Sequence, residues 1–193
     1  MIVLPALPLL PPSDRQTLVL DLDETLVHAF SAEPCVPAVP LMVNGKQLWL
    51  SIRPHAESFL SSLAVHYELV VWTAGVEAYG KAVVKLLDPS GSLISHNLYR
   101  QHCTCYGDGI YIKDLMMLGR DMRGTRIVDN NPVSFYLQPS AGILVPDFVG
   151  HIDDTCLVTL MRELIPTNDV EMGDFMVWMI YFWHFILMRY FIH

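Results

Sequence analysis

The stretch Thr17-Leu18-Val19-Leu20-Asp21-Leu22-Asp23-Glu24-Thr25-Leu26-Val27-His28 decides the fold. Its first four residues form a short apolar run without period-two alternation, the pattern of an interior strand buried on both faces of a parallel sheet. The run ends in Asp21, and the turn after it presents Asp23. Open α/β sheets take their ligands in the crevice at the carboxyl ends of the strands, so both carboxylates stand where chemistry belongs. The plainer alternative is a solvated turn whose acids cap a following helix.

An ionised carboxylate can attack an electrophile and form a covalent intermediate, while a second one gives and takes protons. If the electrophile is phosphorus, a hard divalent cation must offset the negative charge. Mg²⁺ takes carboxylate and carbonyl oxygens together with substrate oxygens.

Outward from this strand the chain reads as strand, helix, strand, the order of a parallel sheet. Residues 31–40 carry three prolines and read as loop. Asn44-Gly45 joins two apolar runs, 41–43 and 46–52, as a hairpin expected to stand beside the site. Arg53-Pro54 is expected to open a helix whose apolar face, Phe59, Leu60 and Leu63, carries on to Tyr67. Leu69-Val70-Val71-Trp72 is a second buried strand ending at Thr73, whose hydroxyl, with N–H groups of the following Ala74-Gly75, can hold a phosphate oxygen. A helix over 76–87 stops at Asp88-Pro89. Arg126-Ile127-Val128 is a third run, 142–146 suits an edge strand, and Asp153-Asp154 is expected to cap a last helix through Leu157, Leu160, Met161 and Leu164.

Four ordered segments resemble the haloacid dehalogenase superfamily, in the form carried by the carboxy-terminal-domain phosphatases and their small Dullard-like relatives. Asp21-Leu22-Asp23-Glu24-Thr25-Leu26-Val27-His28 is similar to motif I, and Thr73-Ala74 to motif II. Tyr111-Ile112-Lys113-Asp114-Leu115 is similar to motif III, and Asp129-Asn130-Asn131-Pro132 to motif IV. Leu98-Tyr99-Arg100 resembles the phosphate-side arginine segment. Motif IV often has two acids in the superfamily, whereas Asn130 is typical of the phosphatase branch and remains a hard oxygen ligand.

The resemblance implies a three-layer Rossmannoid α/β fold with a central, mostly parallel sheet, a small β-hairpin insertion and no large cap domain. It further implies a Mg²⁺-dependent protein serine/threonine phosphatase. Asp21 would be the nucleophile and Asp23 the general acid and base; Thr73, Lys113 and Arg100 would hold phosphoryl oxygens. Asp21, the Asp23 carbonyl and Asn130 would hold Mg²⁺. Thr25 is expected to brace the motif I turn, and Asp129 to orient Lys113 or a metal-bound water. Without a cap the crevice is open, which suits a phosphorylated protein. The rivals are a small-molecule phosphatase on the same scaffold and a non-catalytic, membrane-tethered scaffold that binds phosphoproteins.

A chain of 193 residues supports one core. Residues 17–168 are expected to be the phosphatase-like domain, with 1–16 as a loose lead-in and 169–193 as an apolar tail. The lead-in has no basic start and is broken by Pro5, Pro8, Pro11 and Pro12, so it is a poor signal peptide. A net charge of −8 argues against a nucleic-acid partner, and any phosphorylated substrate must be drawn in by local cations. Cys35, Cys103, Cys105 and Cys156 show no zinc half-site spacing and read as buried free thiols of a reducing compartment, cytoplasm or nucleus. Residues 175–192 are apolar on every side except at His184 and Arg189, at the short limit of a bilayer span. They read as a membrane anchor, with a helix packed on the domain or a partner as the alternative.

Overall fold

The computed structural model describes residues 2–3, 13–107 and 109–165. In chain order the elements are β1 (Ile2–Val3), β2 (Gln16–Leu20), β3 (Val27–Phe30), β4 (Val39–Val43), β5 (Lys46–Ile52), α1 (Ala56–Leu63), β6 (Tyr67–Trp72) and α2 (Glu77–Leu87). They continue as β7 (His96–Leu98), β8 (Thr104–Tyr106), β9 (Tyr111–Ile112), β10 (Thr125–Asp129), β11 (Gly142–Leu144) and α3 (Cys156–Leu164).

The apolar runs build a five-stranded sheet in the order β11-β10-β2-β6-β7, every neighbouring pair parallel. Alternate residues serve its two faces. Leu18, Leu20, Leu69 and Val71 pack with Phe59, Val83 and Leu157 from α1, α2 and α3. Val19, Val70 and Trp72 face the other way, onto Leu115, Leu118 and Phe135 from 3₁₀ turns. Strands buried on both faces explain why the sequence runs lack alternation.

β2 pairs on one side with β6, the next strand of this sheet in the chain, and on the other with β10, which comes much later. Chain order therefore reverses between β2 and β10, and such a switch point opens a crevice above the strand ends. Asp21 continues the ladder there, its N–H donating to the Val128 carbonyl at 3.0 Å. The Asn-Gly hairpin forms as expected: Asn44 and Gly45 take φ of 49° and 76°, and β5 joins β3 and β4 into a small antiparallel sheet.

Several expectations are corrected. The helix after Pro54 begins only at Ala56, because Arg53 is drawn into the core and its N–H is held by the Leu26 carbonyl at 2.9 Å. It ends at Leu63; Tyr67 instead starts β6 and bonds the Leu164 carbonyl through its hydroxyl. The lead-in contributes β1, since Ile2 and Val3 pair with Tyr106 and Cys105 on β8. Of the pair expected to cap α3, Asp154 takes the Cys156 N–H at 2.9 Å while Asp153 stays exposed. All four cysteines are free, but only Cys103 is buried. The apolar run 175–192 lies outside the described residues; among those described no helix is long and apolar enough to cross a membrane.

Candidate active site

The turn after β2 is wound tightly about one carbonyl: Leu22 O accepts the N–H groups of Thr25, Leu26 and Val27 at 2.8–3.2 Å. Glu24 takes a left-handed φ of 58° to close it, and its side chain is tied to His28 Nδ1 at 2.9 Å. Leu22 itself is fully buried. Its burial fixes the register of the two aspartates on either side.

Asp21, 6% exposed, meets Lys113, whose Nζ donates to its Oδ1 at 2.5 Å. Lys113 also donates to Asp129 Oδ2 at 2.7 Å, so one ammonium with no exposed surface joins two buried carboxylates. The lysine is delivered from the end of β9, and its backbone N–H is fixed to Ser134 O at 2.7 Å, in the 3₁₀ turn that follows motif IV. Burial works against the Lys113 charge, but Asp129 and Asp21 outweigh it and hold the ammonium above the ordinary lysine value. Burial pushes the Asp129 carboxyl up and Lys113 draws it back. The Asn131 N–H on its other oxygen, 2.8 Å away, also favours the ionised form.

Asp23 has different company. Thr73 Oγ1 donates to its Oδ2 at 3.3 Å, and the Tyr79 hydroxyl donates to its Oδ1. Burial, together with the nearby Asp21 and Glu24 charges, pushes Asp23 up to about 6 against these two hydrogen bonds. A carboxyl raised toward neutrality can both hold and release a proton there, which suits general acid and base work. Thr73, fully buried at the end of β6, accepts the Gly75 N–H at 2.8 Å.

Asn130 follows β10 at the crevice. Thr25 Oγ1 accepts the Asn130 N–H at 3.2 Å and donates to Asn130 Oδ1 at 3.4 Å, so Thr25 ties motif I to motif IV. The Asn130 amide donates to Asp147 at 2.9 Å. Arg100 is exposed at the rim. Its Nε donates to the Ala74 carbonyl at 2.6 Å and its guanidinium lies 5.1 Å from the Tyr111 ring centre, so it props the loop after Thr73 and makes no contact with Asp21 or Asp23.

Sequence reasoning missed Tyr79 and Arg53. Tyr79 heads the buried stripe Tyr79, Val83 and Leu87 of α2, and its place in the first turn after β6 was the available signal. Arg53 donates to the Thr25 carbonyl at 3.0 Å and grips Asp154 with two bonds of 2.8 and 2.9 Å; that partner is 101 residues away, and no local pattern announces it. Cys103, buried beneath the site, has its thiol pushed up to about 11 and is no rival nucleophile.

The donor set fits Mg²⁺. Among the described residues no three His, Cys, Asp or Glu side chains converge. Asp21, the Asn130 amide and a backbone carbonyl offer the hard oxygens that Mg²⁺ takes together with water and substrate oxygens.

Paired aspartates ending the strand at a switch point, a buried lysine across from them and a threonine ending the next strand define an α/β domain of the haloacid dehalogenase type. The chain belongs to the NLI interacting factor-like phosphatase family, whose model matches residues 16–174. It is 40% identical over 171 residues to the CTD small phosphatase-like protein 3 of Caenorhabditis elegans, covering 84% of this chain and 59% of that one. It is 35% identical over 162 residues to the CTD nuclear envelope phosphatase 1 homolog of the same organism, covering 78% and 65%. The fission yeast RNA polymerase II CTD phosphatase Fcp1, solved as its R271A variant with beryllium fluoride, shares the fold at a TM-score of 0.58 and 22% identity, over 78% of this chain and 50% of that one.

Proposed function

We propose that the chain is a Mg²⁺-dependent phosphatase acting on phosphoserine or phosphothreonine in proteins. The observation that carries this reading is the pairing of a lysine-bound aspartate, Asp21, with a second, Asp23, two residues on, whose side-chain partners are the uncharged hydroxyls of Thr73 and Tyr79. Lys113 occupies Asp21 Oδ1, so Oδ2 is the oxygen left to attack phosphorus. In the first half-reaction an Oδ2–P bond forms and the P–O bond to the seryl oxygen breaks. The electron pair stays on that oxygen, which takes the Asp23 proton. In the second, water attacks phosphorus and gives a proton back to Asp23 as the Asp21–P bond breaks. When bound by Asp21, the Asp23 carbonyl and Asn130, Mg²⁺ offsets the charge of the phosphoryl oxygens. Thr73, Lys113 and the N–H groups of the Ala74-Gly75 loop hold those oxygens, with Arg100 reaching in from the rim on substrate entry.

A protein substrate is supported by the names of the relatives and by the small size of the insertion between β2 and β6, a three-stranded hairpin sheet followed by α1. The nuclear-envelope relatives and the apolar run 175–192 support a membrane tether in a reducing compartment; solubility with and without residues after Asp174 tests it. The decisive experiment is Asp21→Asn with an aryl phosphate and magnesium. Turnover is abolished, and wild-type rates in that variant refute the nucleophile. Higher efficiency on sugar phosphates than on phosphopeptides refutes the substrate class.

A further inference from the structure

Both oxygens of Asp23 are engaged, but unequally. The Tyr79 hydroxyl donates to Oδ1, while Thr73 reaches Oδ2 only at 3.3 Å. Tyr79 is 8% exposed, and its ring lies against the Gly75 backbone. A Cβ on Gly75 would come within 3.0 Å of its ring, and one on Gly80 within 2.7 Å of the neighbouring Tyr99 ring. Bare backbone at Gly75 lets the loop after Thr73 close on the Tyr79 ring, and at Gly80 it lets α2 pack against Tyr99.

We propose that Tyr79 is a positioning residue that occupies Asp23 Oδ1 and so confines the exchangeable proton to Oδ2, on the Thr73 side. The inference rests on the acid–base reading of Asp23 given above. If the proton sat on Oδ1, the phenol would have to turn and accept it. Its own hydrogen would then be left with no described partner in a buried place, which costs the desolvation of that group. On Oδ2 the proton leaves the phenol bond intact and displaces only the long Thr73 contact. As the P–O bond breaks and its electron pair stays on the seryl oxygen, the Oδ2 proton passes to that oxygen. Water returns a proton to Oδ2 in the second half-reaction.

The consequence is selective. A nitrophenolate departs without a proton, whereas a seryl alkoxide does not, so loss of Tyr79 must harm the alkyl substrate alone. The test compares kcat/KM, which ends with departure of the first leaving group, for a phosphoserine peptide and for para-nitrophenyl phosphate. It uses the full chain as wild type, Tyr79→Phe and Asp23→Asn; phenylalanine keeps the ring packing. Expected for Tyr79→Phe is a roughly ten- to hundredfold loss on the peptide, a fraction of what general acid catalysis supplies. The nitrophenyl ester loses less than about threefold, and Asp23→Asn shows the same bias more strongly. Equal losses on both substrates in Tyr79→Phe, or no loss on the peptide while Asp23→Asn discriminates, overturn the role of Tyr79. An Asp23→Asn variant that does not discriminate overturns the acid–base reading, and this inference with it.

Discussion

Removing the Lys113 ammonium and removing the Asp21 charge should change stability in very different amounts, although the proposed mechanism predicts that both abolish activity. Asp21 and Asp129 bond one nitrogen, at 2.5 and 2.7 Å, so their oxygens lie within about 5 Å of each other. In Lys113→Met, nothing separates these buried charges. At an effective dielectric of ~20 their repulsion is about 3 kcal/mol, and stripping one partner from a buried ion pair costs roughly 3–5 kcal/mol. That is a large part of a total stability of about 5–15 kcal/mol.

Asp21→Asn behaves otherwise. It gives up an attraction of roughly 6–7 kcal/mol at the same dielectric, relieves the ~3 kcal/mol repulsion, and recovers the several kcal/mol spent on desolvating a carboxylate. The amide oxygen can still accept from Lys113, so the balance lies within about 1 kcal/mol of wild type. The assay is urea unfolding followed by tryptophan fluorescence, with chelator present so that no cation compensates. In a thermal scan under the same conditions Lys113→Met should melt about 6–20 °C lower, at ~2–4 °C per kcal/mol for a domain of this size. A Lys113→Met variant within about 1 kcal/mol of wild type, or an Asp21→Asn variant as damaged as Lys113→Met, refutes the charge arrangement.

Three further outcomes follow. Magnesium at a hundred times its Kd should raise wild-type stability by about 2.7 kcal/mol and Asn130→Ala stability by much less at the same concentration; identical shifts in a thermal scan count against Asn130 as a ligand. Arg53→Met should cost roughly 3–5 kcal/mol in urea, because Asp154 and the Thr25 carbonyl lose a cation that is only 1% exposed; a cost under about 1 kcal/mol removes Arg53 as the brace of motif I. Burial pushes Glu68 up, but its bonds to Arg120 and Thr17 prevail and hold its carboxyl below the ordinary 4.5. A depressed carboxyl stabilises fully above about 4.5 and stops doing so as pH falls through its folded value, so Glu68→Gln should flatten the acid limb of a stability-pH curve; an unchanged limb contradicts it.

What the chain discloses locally, the sequence showed. β2, β6 and β10 read as strands because burial on both faces writes an uninterrupted apolar run, and Asn44-Gly45 names its own turn through two left-handed residues. The pairings inside the site stayed hidden where they depend on distant partners. Arg53 looked like the prelude to a helix, since nothing near it reveals Asp154. Lys113 and Asp129 were placed together only by resemblance; their contact depends on the Lys113 N–H bond to Ser134 O, across the turn after motif IV. Arg100 shows the converse: a cation in a matching motif spends its Nε on the Ala74 carbonyl, a backbone acceptor no sequence pattern marks.

Two aspartates two residues apart in one turn acquire opposite characters, and the turn is the cause. Leu22 points into the core and its carbonyl gathers three N–H groups, so Asp21 stays on the β2 axis while Asp23 swings toward α2. On the axis the neighbours are β10 and the lysine after β9, which supply a positive charge. Toward α2 the neighbours are a phenol and a hydroxyl, which supply hydrogen bonds but no charge, in a place buried enough for desolvation to outweigh them. In the proposed mechanism one carboxylate thereby serves as nucleophile and the other as proton donor, without either residue differing in kind. On that proposal, exchanging the two environments would exchange the roles, so a shift of register by one residue, turning Leu22 out of the core, should abolish turnover while keeping every functional group.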